Sequence, residues 1–315
     1  MKTVALVWLE WPEKCFRVDA EALLALRKLL PKGAEILRAR TERAFLRHLP
    51  RATHAITWHF KAEWYPLAAS LKVLATPGAG RELVDAAAAP KGVRVHFGGY
   101  HGAIISETVA GFVLAWARGF FRPELAAADS GDRAWAETWP RSAIGGACYR
   151  VAGTKAVIAG YGKIGRAIGA KLEALGVRVE GFSRGNIVGL PKALKDANWF
   201  VLALPSDTGT DDFLDSRLLA KFPRKCVVVN IGRGNAIDEA ALLKALESGR
   251  IAGAYLDVFH NEPGPLAKVG GNSKGILSCS KADLPQNLIR MPHSSAFSGD
   301  YLKMCFKELK DDGLI

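Results

Sequence analysis

The first hundred residues alternate between short apolar runs and longer amphipathic ones. "KTVALVWLE" reads as a buried strand, and "DAEALLALRKLL" carries apolar residues at helical spacing up to Pro31-Lys32-Gly33. "THAITW", "LKVLATPGAG" and "GVRVHF" are further short strands, each closed by turn residues, and the "AAAA" beginning at Ala86 reads as helix. "SETVAGFVLAWARGFF" then predicts a long apolar helix opened by Ser106 as its cap and ending at Arg122-Pro123. The stretch that follows, about 121–150 with its "AWAETWP", is less regular and rich in tryptophan; it reads either as an arm packing on a second subunit or as a surface loop. A second series of strands and helices starts at "GTKAVIAG" and continues through "RVEGFS", "WFVLALP", "CVVVNIG" and "IAGAYLDVF". The segment from Pro263 to Asp283 has no period and reads as a loop. Strands alternating with helices predict α/β architecture, with parallel sheets covered on both faces.

Composition narrows the function classes. With 315 residues, 49% of them hydrophobic, the chain is long enough for two domains with separate cores. Charges or glycines interrupt every apolar run before it reaches the length of a membrane span. The apolar start is followed at once by Glu10 and Glu13, so it reads as a first strand and not as a signal peptide. Five cysteines, scattered and never at metal or redox spacing, suit a reducing cytosol and point to no metal site. The net charge of +12 favours anionic partners. No basic run or nucleic-acid motif accompanies it, so a small anionic substrate and a phosphorylated cofactor account for it better than nucleic acid does.

The chemistry is carried at strand ends. "AVIAGYGKIGRAIGAKLEALG" places Gly160, Gly162 and Gly165 between a strand and a helix, the context a dinucleotide fingerprint requires. Gly160 is expected to make the tight turn, Gly162 to admit a pyrophosphate against the backbone, and Gly165 to let helix and strand pack closely. NAD-binding folds put an acid at the end of the next strand to hold the ribose. Here Glu180 lies inside that strand and its end carries Ser183 and Arg184. A hydroxyl and a guanidinium can bind a 2′-phosphate that a carboxylate would repel, so NADP is expected as the preferred cofactor, with NAD possible. The alternative is that Arg184 faces water. Three later strand ends supply Arg233, Asp257 with Glu262, and His293. A histidine with a carboxylate partner is a tunable proton donor, and an arginine between two glycines can fork onto a carboxylate.

These motifs, together with "GAG" at Gly78 to Gly80, "VVVNIGRG", "GAYLDVFHNEP" and "LPQNLIRMPH", stand in an order and spacing that resembles the D-isomer-specific 2-hydroxyacid dehydrogenase family over nearly the whole chain. The resemblance implies two doubly wound parallel-sheet domains with the active-site cleft between them. A flavodoxin-like substrate domain would comprise 1–101 plus 296–315, and a Rossmann cofactor domain 102–295, with a dimerisation arm at about 121–150 in a cytoplasmic homodimer. It implies that Arg233 orients the substrate carboxylate and polarises the 2-oxo group, that His293 is the acid/base, and that Glu262 is its partner and favours the imidazolium. Trp58 and the backbone of Ala79 and Gly80 would contribute to substrate binding. Cofactor contacts would come from Lys163, Ile164, Leu204, Pro205, Thr210, Ile231, Asp257 and Ser295 besides the glycines, Ser183 and Arg184. Within the family, "AITWHFKAEW" around Trp58-His59 and "FSRG" look most like NADPH-preferring glyoxylate/hydroxypyruvate reductases. The implied reaction is reduction of a short 2-oxo acid to the D-2-hydroxy acid. The rivals are an NAD-linked phosphoglycerate-type dehydrogenase and a dinucleotide-sensing scaffold with little turnover. The chain departs from the family pattern at Arg81-Glu82, in "SDTGT" at Ser206 to Thr210, and from Gly264 to Asp283.

Overall fold

The computed structural model describes residues 2–121, 148–206, 209–262 and 275–315. They fall into two compact units, Met1–His101 with Phe297–Ile315, and Gly102–Ala296.

The first unit holds five strands: β1 (Val4–Trp8), β2 (Glu35–Arg38), β3 (His54–Thr57), β4 (Val73–Thr76) and β5 (Arg94–Phe97). All pair in parallel, in the order β2-β1-β3-β4-β5. That is the flavodoxin-like order, which reverses at β1. Helix α1 (Ala20–Leu29) starts where the Asp19 carboxylate accepts from Ala22 N–H, and α2 (Glu42–His48) starts in the same way on Thr41. Strand β2 and helix α2 lie in a stretch where the sequence pattern marks no element. β2 is an edge strand, partly exposed at all four positions, so it carries no buried apolar run. The alanines at Ala86–Ala88 form a 3-10 turn where a helix is expected; with Pro90 close behind, the segment cannot run on.

The second unit is entered by α3 (His101–Ala117). The helix begins five residues before the expected cap. Ser106 sits inside it, its hydroxyl donating back to the Ala103 carbonyl, and so caps nothing. The helix also ends earlier than Arg122, because Gly119 turns into the left-handed region (φ 79°) while Phe120 N–H bonds back to the Ala115 carbonyl. Six parallel strands follow: β6 (Lys155–Ala159), β7 (Arg178–Phe182), β8 (Trp199–Leu202), β9 (Val227–Asn230), β10 (Gly253–Leu256) and β11 (Leu288–Arg290). Their order is β11-β10-β9-β8-β6-β7, so the sheet reverses at β6. Every residue of β6, β8, β9 and β10 is buried, as a sheet covered on both faces requires. Alternate residues divide between two cores. Val157, Phe200, Leu202, Val228 and Leu256 pack on one face, and Ile158, Trp199, Val201, Val229 and Tyr255 on the other, with Val109 and Val113 of α3 and Ile168 and Leu172 of α4 (Lys163–Ala174). The short helices α5 (Leu190–Ala193) and α6 (Ser216–Leu219), and α7 (Glu239–Glu247), bury side chains in the first of these cores. The chain then returns to the first unit as α8 (Tyr301–Asp311).

The segment read as a loop up to Asp283 contains two 3-10 turns, Ile276–Ser278 and Lys281–Asp283. Ile276 is fully buried in the core, and its N–H donates to the Glu239 carboxylate at 2.7 Å. One buried residue without periodic neighbours leaves no pattern to read. Residues 122–147, which include Trp135 and most of the expected arm at about 121–150, lie outside the described residues. Among the described residues no helix is long and apolar enough to cross a membrane.

Candidate active site

Arg233, Asp257 and His293 follow β9, β10 and β11, three neighbouring parallel strands, so all three stand beyond the same carboxyl edge of the sheet. That edge is where open α/β sheets bind ligands.

Arg233 is half-buried in extended backbone just before a 3-10 turn over Gly234–Ala236. The buried Asn230 at the end of β9 grips this turn from both sides. Its amide donates to the Arg233 carbonyl at 3.0 Å, and its oxygen accepts from Gly232 N–H at 3.1 Å. The flanking glycines are required by contact. A Cβ at Gly232 would lie 2.6 Å from the Leu204 carbonyl oxygen, and one at Gly234 would overlap the Phe259 backbone. The guanidinium donates through Nη1 to the Gly232 carbonyl at 2.9 Å.

The Phe259 backbone leads to the second group. Phe259 N–H donates to Glu262 Oε1 at 2.9 Å, and Glu262 Oε2 meets His293 Nδ1 at 2.7 Å. The carboxylate therefore joins the strand-end backbone to the imidazole and leaves Nε2 as the nitrogen able to serve a substrate. His293 itself has φ 52°, a conformation rare for a residue with a side chain. Asp257, 2% exposed, holds it there by accepting from Ser294 N–H at 2.8 Å and Ser295 N–H at 2.9 Å. Ser295 is tied further by Tyr255 Oη, 3.2 Å from its hydroxyl, and by Thr108, which donates to its carbonyl at 3.0 Å. The site thus brings Glu262 and His293 into direct contact and connects the Arg233 turn to them through Phe259. Glu239 braces the same region from beneath, accepting from His260 N–H at 3.1 Å as well as from Ile276.

The glycines of β6–α4 test whether a dinucleotide fits. Gly160 is left-handed (φ 94°), and a Cβ there would overlap the Ala203 carbonyl. A Cβ at Gly165 would overlap the Gly160 carbonyl, whereas one at Gly162 would meet nothing within 4 Å. The first and third glycines are thus needed for packing, and the second faces open space. Gly162 also begins α4 without a side-chain cap, so the first-turn N–H groups at Lys163 and Ile164 are presented as a helix terminus suited to phosphate. Tyr161 packs instead over Gly169 and Gly181, where any Cβ would collide with its ring.

Beyond β7 stand the exposed Ser183 and Arg184. Asn186 shapes their turn, accepting from Ser183 N–H at 2.7 Å and donating to the Gly181 carbonyl at 3.0 Å. Glu180 is paired with Lys155 at 2.9 Å, and no carboxylate stands at 183–187. Leu204 and Pro205 follow β8; Thr210, buried, donates to the Pro205 carbonyl at 2.8 Å, and Ile231 is buried beside the Arg233 turn.

In the first unit, Trp58 is 7% exposed, with its indole N–H donating to the Phe16 carbonyl at 3.1 Å, so it offers a ligand only its ring. The Gly78–Gly80 turn follows β4, with Ala79 exposed. Arg81 lies over the Phe97 ring, 5.0 Å from its centroid, which gives the departure from the family pattern a local packing role. Among the described residues His96, Glu308 and Asp312 form the one group with metal-ligand chemistry. Glu308 meets Nε2 of His96 at 3.1 Å and Asp312 lies 3.7 Å from Nδ1, contacts that tie the C-terminal helix region to β5.

Asn230, Asn186 and Glu239 join the site through contacts that the sequence motifs do not mark. Asn230 does carry a signal, a polar side chain closing the buried run "VVVN"; the other two look like ordinary turn and helix residues.

Residues 111–293 match the family described as D-isomer specific 2-hydroxyacid dehydrogenase, NAD binding domain. A glycerate dehydrogenase of Methylorubrum extorquens is 32% identical over 247 residues, 77% of this chain and 74% of that protein. A glyoxylate reductase of Korarchaeum cryptofilum is 31% identical over 219 residues, 65% of this chain and 64% of that protein. The crystal structure of an NADPH-dependent glyoxylate/hydroxypyruvate reductase from Sinorhizobium meliloti, in complex with NADP and sulfate, is 25% identical. It superposes with a TM-score of 0.70 over 100% of this chain and 96% of that one.

Proposed function

Because the chain belongs to the D-isomer-specific 2-hydroxyacid dehydrogenase family, we propose that it reduces a short 2-oxo acid of the glyoxylate or hydroxypyruvate kind to the D-2-hydroxy acid, with NADPH as the preferred reductant. The observation that carries the reading is the chain of contacts from the Arg233 turn through Phe259 and Glu262 to His293. It provides a cation for a carboxylate, placed by close backbone packing, and a proton donor, placed by the Glu262 and Asp257 carboxylates.

When bound, the reduced nicotinamide supplies the hydride. Arg233 forks onto the substrate carboxylate and draws charge towards the carbonyl oxygen. His293, with Nδ1 on Glu262, gives the proton at Nε2 to that oxygen. Asp257 keeps the imidazole aimed by fixing the backbone that follows it, and any contact it makes to the nicotinamide uses the remaining lone pairs of the same carboxylate. Backbone N–H groups of Ala79 and Gly80 are assigned to the substrate carboxylate as well. A cytosolic homodimer built on the 121–150 arm belongs to the same proposal.

The cofactor preference follows from the end of β7. A 2′-phosphate there meets Ser183 and Arg184 and no acid, a charge-assisted contact worth about 1.5–3 kcal/mol, or roughly tenfold to a hundredfold in kcat/KM. The test is kcat/KM for NADPH and NADH with glyoxylate, in wild type and Arg184→Ala. Wild type should favour NADPH, and the variant should lose most of that preference with little change towards NADH. A wild type that favours NADH would refute the cofactor assignment.

A further inference from the structure

The Gly78–Gly80 turn carries backbone donors but no side chain able to hold its shape. Three groups converge on the Pro77 carbonyl at its start. The Tyr100 hydroxyl lies 3.3 Å from that oxygen, and the Tyr301 hydroxyl 3.5 Å. Gly98 packs so closely that a Cβ there would overlap the same oxygen, and would come within 2.9 Å of the His101 and Tyr100 rings. The Gly98 N–H donates to the carbonyls of Thr76 at 3.1 Å and Gly78 at 3.0 Å.

His101, 4% exposed, orders the protons of this group. Its Nδ1 lies 3.1 Å from the Gly98 carbonyl, which only accepts, so Nδ1 carries the hydrogen. In the neutral ring Nε2 then accepts, and its partner at 2.7 Å is the Tyr301 hydroxyl. Tyr301 is thus engaged by His101, and Tyr100, 3.3 Å from the Pro77 oxygen against 3.5 Å for Tyr301, is the nearer donor to it, with the Tyr301 hydroxyl and the Cys305 thiol also in its reach. Tyr100 is fixed in turn by stacking on His101 at 4.4 Å between centroids and by meeting Tyr301 edge-on at 5.1 Å. Burial pushes both phenols well above their ordinary range, so both stay protonated at any working pH.

We infer that Tyr100, oriented by the Tyr301–His101 pair, is a positioning residue that sets the Gly78–Gly80 turn for the carboxylate of the 2-oxo acid. The inference rests on the proposed role of the Ala79 and Gly80 N–H groups. A turn held in its binding shape lowers the cost of ordering it when the substrate binds and leaves the chemical step alone, so the effect falls on KM.

The experiment measures steady-state kinetics with NADPH and glyoxylate, and thermal melting, for the full chain as wild type, Tyr100→Phe, Tyr301→Phe and Arg233→Ala. Tyr100→Phe should raise the KM for glyoxylate about threefold to tenfold, with kcat within about twofold and the KM for NADPH and the Tm essentially unchanged. Tyr301→Phe should shift KM in the same direction by less, and it carries the test if Tyr100→Phe does not fold. Unaltered KM in the tyrosine variants of an active enzyme overturns the inference. So does a joint fall in kcat, NADPH affinity and Tm, which marks general damage. Loss of turnover in Arg233→Ala, whatever the tyrosine variants do, supports the proposed function separately; a wild type that reduces no 2-oxo acid overturns both.

Discussion

The turn bearing Arg233 and the turn bearing His293 leave the same edge of one sheet, with β10 between their strands, yet they are held in place by opposite means. Arg233 is placed by what its neighbours lack. Gly232 and Gly234 let the backbone press against Leu204 and Phe259, where any Cβ would collide. His293 is placed by what its neighbours possess. Asp257 takes the two N–H groups after it, and Glu262 takes its ring. Steric placement fails abruptly when a single atom is added. Placement by hydrogen bonds fails by degrees, because one of several bonds can be lost while the rest persist.

This difference can be broken from either side. Gly234→Ala should act most strongly, since the added carbon lands on the Phe259 backbone and the Arg233 turn must move. The overpacking cost of roughly 2–3 kcal/mol should lower Tm by about 4–12 °C, and turnover should fall by about a hundredfold or more. Melting and kinetics on the same sample read both. Asp257→Asn keeps one acceptor but turns a donor towards a backbone N–H. We expect kcat to fall about tenfold to a hundredfold, with the KM for NADPH less affected; an undiminished kcat would show that the left-handed His293 holds without the clamp. Glu262→Gln should have the smallest effect at the optimum. The amide keeps an acceptor for only one of its two partners, Phe259 N–H and His293 Nδ1, so kcat for reduction should fall about threefold to tenfold with the KM for NADPH unchanged. An undiminished kcat would remove Glu262 from its assigned role.

The same contrast explains what could be read from sequence. Steric requirements leave their mark as glycines, and Gly160, Gly165, Gly232 and Gly234 all stand where the structure has no room for a side chain. Fully buried strands leave apolar runs, so β4, β6, β8, β9 and β10 were legible. β2, an exposed edge strand, was not. Hydrogen-bonded placement was legible only in part. Glu262 and His293 were paired through resemblance, whereas the hold of Asp257 on Ser294 and Ser295, of Asn230 on the Arg233 turn and of Asn186 on Ser183 depends on atoms that meet only after folding. The start of α3 was misplaced because Ser106 suits a cap by residue type, while the apolar residues before it continue the helix.

The central claim is that Arg233 and His293 act together on a 2-oxo acid. The most direct test is NADPH oxidation driven by glyoxylate and hydroxypyruvate in wild type, His293→Ala and Arg233→Ala, with NADPH affinity measured on the same preparations. The account predicts turnover by wild type, a loss of about two or more orders of magnitude in each variant, and NADPH affinity close to wild type in all three. Near-normal turnover in either variant would contradict it.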